Sequence, residues 1–206
     1  MPGALGQATA MPIRLETFVG AALHPHLPAL SRLRVEIFRD WPYLYDGSLN
    51  AERVDTGPIA TSPGAALVAA SEGDDVVGVS TCLPLADEAE HMTAPFAAAG
   101  LNPATFCYFA ESLLRRAYRG QGIGVQFFDR REAHARTLPG VTTAVFCSVR
   151  RPPDHPRCPV DARPLDDFWR HRGYAPLPEV VVSMRWKQVD TAERVENLLD
   201  VWAKRL

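Results

Sequence analysis

The sequence predicts an α/β domain, a mixed sheet with helices packed on its faces. Two apolar, β-branched runs flank the turn residues Glu72, Gly73, Asp74 and Asp75 and read as an antiparallel hairpin. A strand-like run from Thr105 to Leu114 leads through a glycine-rich turn into an amphipathic segment and then into a second apolar run, Val141 to Val149. That is a strand–helix–strand unit whose two strands lie parallel. The chain has 206 residues, 47% hydrophobic and 22% charged, enough for one buried core, so a single domain is expected.

The elements follow in order. Residues 1–11 are small and polar and read as a flexible N-terminal tail, after which Ile13, Leu15 and Phe18 begin a short strand. Pro28 opens a helix in which Leu30, Leu33, Ile37 and Phe38 recur at three- and four-residue spacing and share a buried face. That helix ends before "RDWPYLYDG". The second hairpin strand stops at Pro84, and residues 86–104 form a helical excursion with an exit at Gly100 and Pro103. Behind the glycine turn, Ile123, Phe127 and Phe128 occupy one helical face, with Asp129, Arg130, Arg131 and Glu132 on the other. "RRPPDHPRCPVDARP", with five prolines, is a stiff connection, either a spacer or a functional loop. In the next helix Pro164 suits the first turn, Asp166 and Asp167 the positive end, Arg170 and His171 the negative end, and Gly173 a left-handed cap. "VVVSMRW" then closes the sheet. Residues 189–206 open with Asp190 and Glu193 at capping-box spacing and carry Val195, Leu198, Leu199 and Trp202 on one stripe. They predict a C-terminal amphipathic helix packed on the domain or on a partner subunit, so a homodimer is one of two expectations.

Charge and composition exclude several functions. A formal net charge of -2 and a pI near 6.3 provide no field to gather nucleic acid or an anionic membrane, so neither is expected as a partner. No apolar run approaches the roughly 20 residues of a spanning helix. Cys82, Cys107, Cys147 and Cys158 form no C-x-x-C pair, and the N-terminus shows no secretory pattern, which reads as a cytoplasmic protein with reduced thiols. His24 and His26 lack a third ligand nearby, so no metal is expected.

The chemistry centres on "YRGQGIG", Tyr118 to Gly124. Glycines at alternate positions suggest a crowded bend that excludes a Cβ and lets the backbone approach a ligand, and the helix start behind it suits a phosphate. The plainer reading is a tight turn that packs helix on strand. A phosphate-binding P-loop requires Lys-Ser/Thr after its last glycine, where Val125 and Gln126 stand. A dinucleotide G-x-G-x-x-G would place its third glycine at Val125. Arg119-x-x-Gly122-x-Gly124, by contrast, resembles the R/Q-x-x-G-x-G/A motif of the GNAT family of N-acetyltransferases. The element order is similar too, and "FWRHRGY", Phe168 to Tyr174, resembles the family's second signature.

The resemblance implies a GNAT fold over residues 12–188: a central mixed, largely antiparallel sheet with a splayed parallel strand pair, flanked by helices. It implies acetyl-CoA as co-substrate, held at Arg116, Arg119, Gly120, Gln121, Gly122, Ile123, Gly124 and Val125, with Leu113 and Leu114 as backbone partners of the pantetheine arm. Glu111 is the one charge in an apolar strand of ten residues and the candidate general base; the alternatives are an ion pair with an arginine or a place on the solvent face. Many members carry a tyrosine where Trp169 stands, which leaves Tyr174, Tyr108 or water as candidate acids. Cys147 reads as a buried structural thiol before an acyl-cysteine nucleophile. Asp40, Trp41, Tyr43, Tyr45 and Asp46 suggest an aromatic wall with carboxylates that welcomes a cation, opposite Arg150, Asp154 and His155; a loop that covers the core is the alternative. The expected activity is transfer of the acetyl group from acetyl-CoA to a primary amine of a small molecule or amino-acid-like acceptor, by direct attack in a ternary complex. The competing expectation is a catalytically silent acetyl-CoA sensor.

Overall fold

A computed structural model describes residues 11–206, with the backbone alone for 53–55. The tail expected over residues 1–11 lies, except for Met11, outside them. The elements are β1 (Ile13–Val19), α1 (Leu27–Phe38), α2 (Leu49–Asp55), α3 (Gly57–Thr61), β2 (Ala66–Glu72), β3 (Asp75–Pro84), α4 (Glu90–Ala98), β4 (Phe106–Tyr108), β5 (Ser112–Leu114), α5 (Ile123–Ala135), β6 (Thr143–Val149), α6 (Asp166–His171), β7 (Ala175–Lys187) and β8 (Arg194–Arg205). Among the described residues the strands form one sheet of order β1-β2-β3-β4-β6-β8-β7, with β5 also on β3. Its pairs are antiparallel except β4 with β6. One face carries α1 and α4 over Leu30, Leu33, Met92 and Phe96; the other carries α5 over Phe109, Phe128 and Phe146.

The strand expected from Thr105 to Leu114 is broken. Ala110 N–H donates to the Thr81 carbonyl (3.1 Å) and Thr81 N–H to the Glu111 carbonyl (3.1 Å), so two residues oppose one in a β-bulge. Phe109 N–H donates to the Val145 carbonyl at 2.8 Å, the last link between β4 and β6. Beyond it β5 pairs with β3 and β6 with β8, and the two strands diverge. The splayed pair expected from the resemblance is this divergence.

The C-terminal helix expected over residues 189–206 is instead the strand β8. It lies between β6 and β7, pairing from Thr143↔Arg205 to Val149↔Leu199 on one side and along β7 on the other. "VVVSMRW" therefore forms the outer strand rather than the closing one. An amphipathic helix would have left two strand edges unpaired at the price of their backbone hydrogen bonds. Asn197, Leu199 and Val201 alternate on the buried face at period two, with the polar Asn197 masking the pattern. In α5, Arg131 and Glu132 are buried rather than on the solvent face. Helix α6 starts at Asp166, two residues after Pro164. His24 and His26 are engaged separately, one with the Ala60 carbonyl (2.8 Å) and one stacked on Phe18.

Candidate active site

The glycine turn leads from β5 to α5. Gly120 and Gly122 sit at φ +77° and +79°, the left-handed region where a side chain costs about 1–2 kcal/mol. A Cβ at Gly120, Gly122 or Gly124 would meet no protein atom within 4 Å, so the bend is not crowded by the protein itself. Backbone conformation accounts for Gly120 and Gly122, and the space beside Gly124 is open to a ligand. The first N–H to turn back into α5 is that of Gln126, to the Gly122 carbonyl at 3.2 Å; those of Ile123, Gly124 and Val125 precede it at the positive end of a 13-residue helix. Arg116 and Arg119 are exposed beside them, the first paired with Asp161 (3.1 Å) and the second donating to the Leu114 carbonyl (3.1 Å). Gln121 bonds the Ala117 carbonyl, Val125 is exposed, and the Ile123 side chain lies in the core, leaving only its backbone for a ligand. The donor set fits a diphosphate.

The same alternation sorts the backbone of β5. Thr81 N–H to the Glu111 carbonyl and Arg115 N–H to the Val77 carbonyl (3.1 Å) show that the odd-numbered residues face β3. Leu113 is thus turned inward, and Ser112 and Leu114 present their backbones to the divergence.

Glu111, in the bulge, is buried and pairs with Arg34 of α1, while Thr81 donates its hydroxyl to the other carboxylate oxygen. Arg34 also binds the fully buried Glu52 of α2, whose second oxygen has no hydrogen-bond partner among the described residues. On the opposite face Arg131 donates to the Glu111 carbonyl (3.1 Å) and the Ser112 hydroxyl (2.9 Å), with its guanidinium over Phe109 and Phe128. Arginines from α1 and α5 therefore clamp the bulge from both sides.

Tyr43, Glu88 and Tyr108 lie close enough to Glu111 to feel its charge, and Cys147 is the hydrogen-bond neighbour of Tyr108. Burial first, then the neighbouring Glu111 charge, raises the Glu88 carboxyl from 4.5 to about 7. Burial likewise raises the Tyr43 phenol to about 12 and the Cys147 thiol to about 12, the Tyr108 hydroxyl opposing the latter shift. With its folded pKa above the ordinary value, Glu88 contributes stability below pH 4.5 that is lost as pH rises through about 7. Glu88→Gln is therefore expected to gain about 1–3 kcal/mol on wild type between about pH 5 and 8, read from urea midpoints.

Tyr174 lies on the other face, buried among Phe109, Phe128 and Phe146, and donates its hydroxyl to Glu132 at 3.2 Å. Burial first, then that carboxylate, push its phenol well up. Glu132 in turn binds Lys204 (2.8 Å) and Arg172 (3.5 Å), tying α5 to β8. Trp169 packs against Phe146 and Trp202.

The Acetyltransferase (GNAT) family profile matches residues 28–160. The chain belongs to the GNAT acetyltransferase family. It is accordingly an acyltransferase, with the family's sheet and its divergent parallel pair. Among solved structures, an acetyltransferase from Streptococcus agalactiae 2603 superposes with a TM-score of 0.57 at 17% identity, over 94% of this chain and 98% of that one. An acyl-CoA N-acyltransferase from Pseudomonas aeruginosa gives 0.57 at 13% identity, over 94% and 99%. Arabidopsis thaliana NAA60 in complex with acetyl-CoA gives 0.56 at 12%, over 92% and 97%. These likenesses are of fold. Sequence comparison with curated proteins gives no match.

In this GNAT chain the loop after α1 and the proline-rich loop do meet: the rings of Trp41 and His155 lie 5.2 Å apart. Arg151 ties the loops by donating to the carbonyls of Pro42 (2.6 Å) and Tyr43 (3.0 Å). Arg150 instead pairs outward with Asp200, and Asp40 and Asp154 are exposed. Asp46 is held by Arg39 (2.7 Å) and Lys187 (2.8 Å), whose hydrogen bonds lower its carboxyl pKa, and with the buried Tyr45 it lines a surface cavity of about 440 Å³. Glu88, Arg34 and Arg131 are the residues the sequence reading missed. Glu88 sits in the excursion between strands, and both arginines look like solvated helix positions until the bulge is seen.

Proposed function

We propose that this protein transfers the acetyl group of acetyl-CoA to a primary amine of a small, amino-acid-like acceptor by direct attack in a ternary complex. The observation that carries the reading is the divergence of β5 and β6 directly ahead of a glycine turn whose N–H groups suit a diphosphate. Acetyl-CoA supplies a thioester carbonyl; the backbone of Ser112 and Leu114 lines the gap through which an extended amide arm can pair with β5. The thiol of Cys147, pushed to about 12, is almost wholly protonated at neutral pH, which favours direct attack over an acyl-cysteine route. Glu88, which has no ion-pair partner among the described residues, stands close to Glu111, and this favours a cationic amine. An alkyl ammonium with pKa near 10.4 is neutral in only about one molecule in a thousand at pH 7, so the site needs a proton acceptor.

Release of free thiol from acetyl-CoA, followed across a panel of amines and anionic acceptors, tests this. Primary amines are expected to drive release. Turnover of anionic acceptors alone, or coenzyme binding with no release by any acceptor, would overturn the reading; the latter would favour a silent coenzyme sensor.

A further inference from the structure

Three carboxylates gather around Arg34 on the α1 side, and they are not equivalent. Both oxygens of Glu111 are engaged, one by Arg34 and one by Thr81, while Glu52, bound to Arg34 through one oxygen, is fully buried. Glu88 has no ion-pair partner among the described residues, and its side chain accepts only a long bond from the next N–H, Ala89, at 3.3 Å. It stands just past the short turn Leu85–Asp87 that leaves β3, anchored by its own N–H to the Leu85 carbonyl (3.1 Å), and is half-buried. Strand β3 leaves the sheet after Pro84↔Cys107, and the Glu88 carboxyl then lies close enough to Glu111, Tyr108 and Cys147 to act on them electrostatically.

We infer that Glu88 is the group that takes the proton from the attacking ammonium, with Glu111 acting as a positioning residue that holds the bulge and supplies a fixed negative neighbour. This rests on the transfer reaction proposed above. The acceptor ammonium gives one proton to the Glu88 carboxylate; the freed lone pair forms the C–N bond. As the C–S bond breaks, a second proton leaves nitrogen for the sulfur or for solvent, and Glu88 returns its own to solvent. The groups facing Glu88 are Arg34 from α1, Glu111 from the bulge, Asp87 from its own turn, Tyr108 from β4 and Cys147 from β6. Of these only Arg34 is cationic, and it is already shared by two carboxylates. A carboxyl that titrates near 7 is matched to accepting a proton at neutral pH.

The test is the pH profile of kcat/KM for amine acetylation by wild type and Glu88→Gln, with acetyl-CoA binding followed by calorimetry on both full-length proteins. Glu88→Gln is expected to bind acetyl-CoA as wild type does, to lose about 10²- to 10⁴-fold in kcat/KM at neutral pH, and to lose the limb near pH 7. It should recover most of that loss with a weakly basic acceptor already neutral at the assay pH. A variant profile that superposes on wild type overturns the assignment and leaves acetyl transfer standing, as does a loss equal at every pH and for both acceptors. Wild-type protein that binds acetyl-CoA and acetylates no amine overturns the transfer reading and this assignment together.

Discussion

Arg34→Met is expected to lose about 3–5 kcal/mol of folding free energy, measured by urea denaturation. Methionine keeps much of the apolar stem but removes the charge that two buried carboxylates share. Glu52 is fully buried and Glu111 nearly so, and one oxygen of Glu52 already lacks a hydrogen-bond partner among the described residues. Neither carboxylate can reach water without moving α2 or the bulge. An exposed pair such as Arg14–Glu16, at 2.8 Å, should be worth under about 1 kcal/mol. If the loss comes from stranded charge, adding Glu52→Gln and Glu111→Gln to Arg34→Met should recover a large part of it. A single variant as stable as wild type would mean that the clamp does not hold the bulge.

Gly122→Val is expected to weaken acetyl-CoA binding roughly 100-fold by calorimetry, the equivalent of two charge-assisted hydrogen bonds at about 1.5 kcal/mol each. Valine at φ +79° is strained, and the backbone relaxes by rotating the N–H groups that open α5 away from the turn. Gly100→Val is the control, since Gly100 is also left-handed (φ +75°) but lies beyond α4, remote in sequence from the turn. It should lose comparable stability and keep its coenzyme affinity. Equal coenzyme affinities in wild type and Gly122→Val would remove the turn from the binding site.

Much of this was legible in the sequence, and the failures have physical causes. The hairpin, α1, α5 and the parallel β4–β6 unit follow from periodicity and turn residues, which act locally. Residues 194–205 misled because Val195, Leu198, Leu199 and Trp202 fit a helical stripe, while the decisive term was the pair of vacant edges on β6 and β7, a long-range fact. The bulge was invisible because the run around Phe109–Glu111 carries no turn residue or glycine to mark it; the extra residue shows only against Thr81. Glu111 was rightly singled out as an anomalous buried charge. Whether it acts or merely balances a cation depended on Arg34, 77 residues away in the chain. The glycines of the turn were legible as a motif, but the cause at Gly120 and Gly122 is left-handed backbone rather than steric pressure.

The position of β8 bears on how the molecule is made. Because a ribosome delivers β6 and β7 before residues 194–205, a nascent chain holds two exposed, apolar strand edges for as long as that stretch is unsynthesised. The β6 wall of the gap between β5 and β6 is then unfinished, while the hairpin and β5 already have their partners.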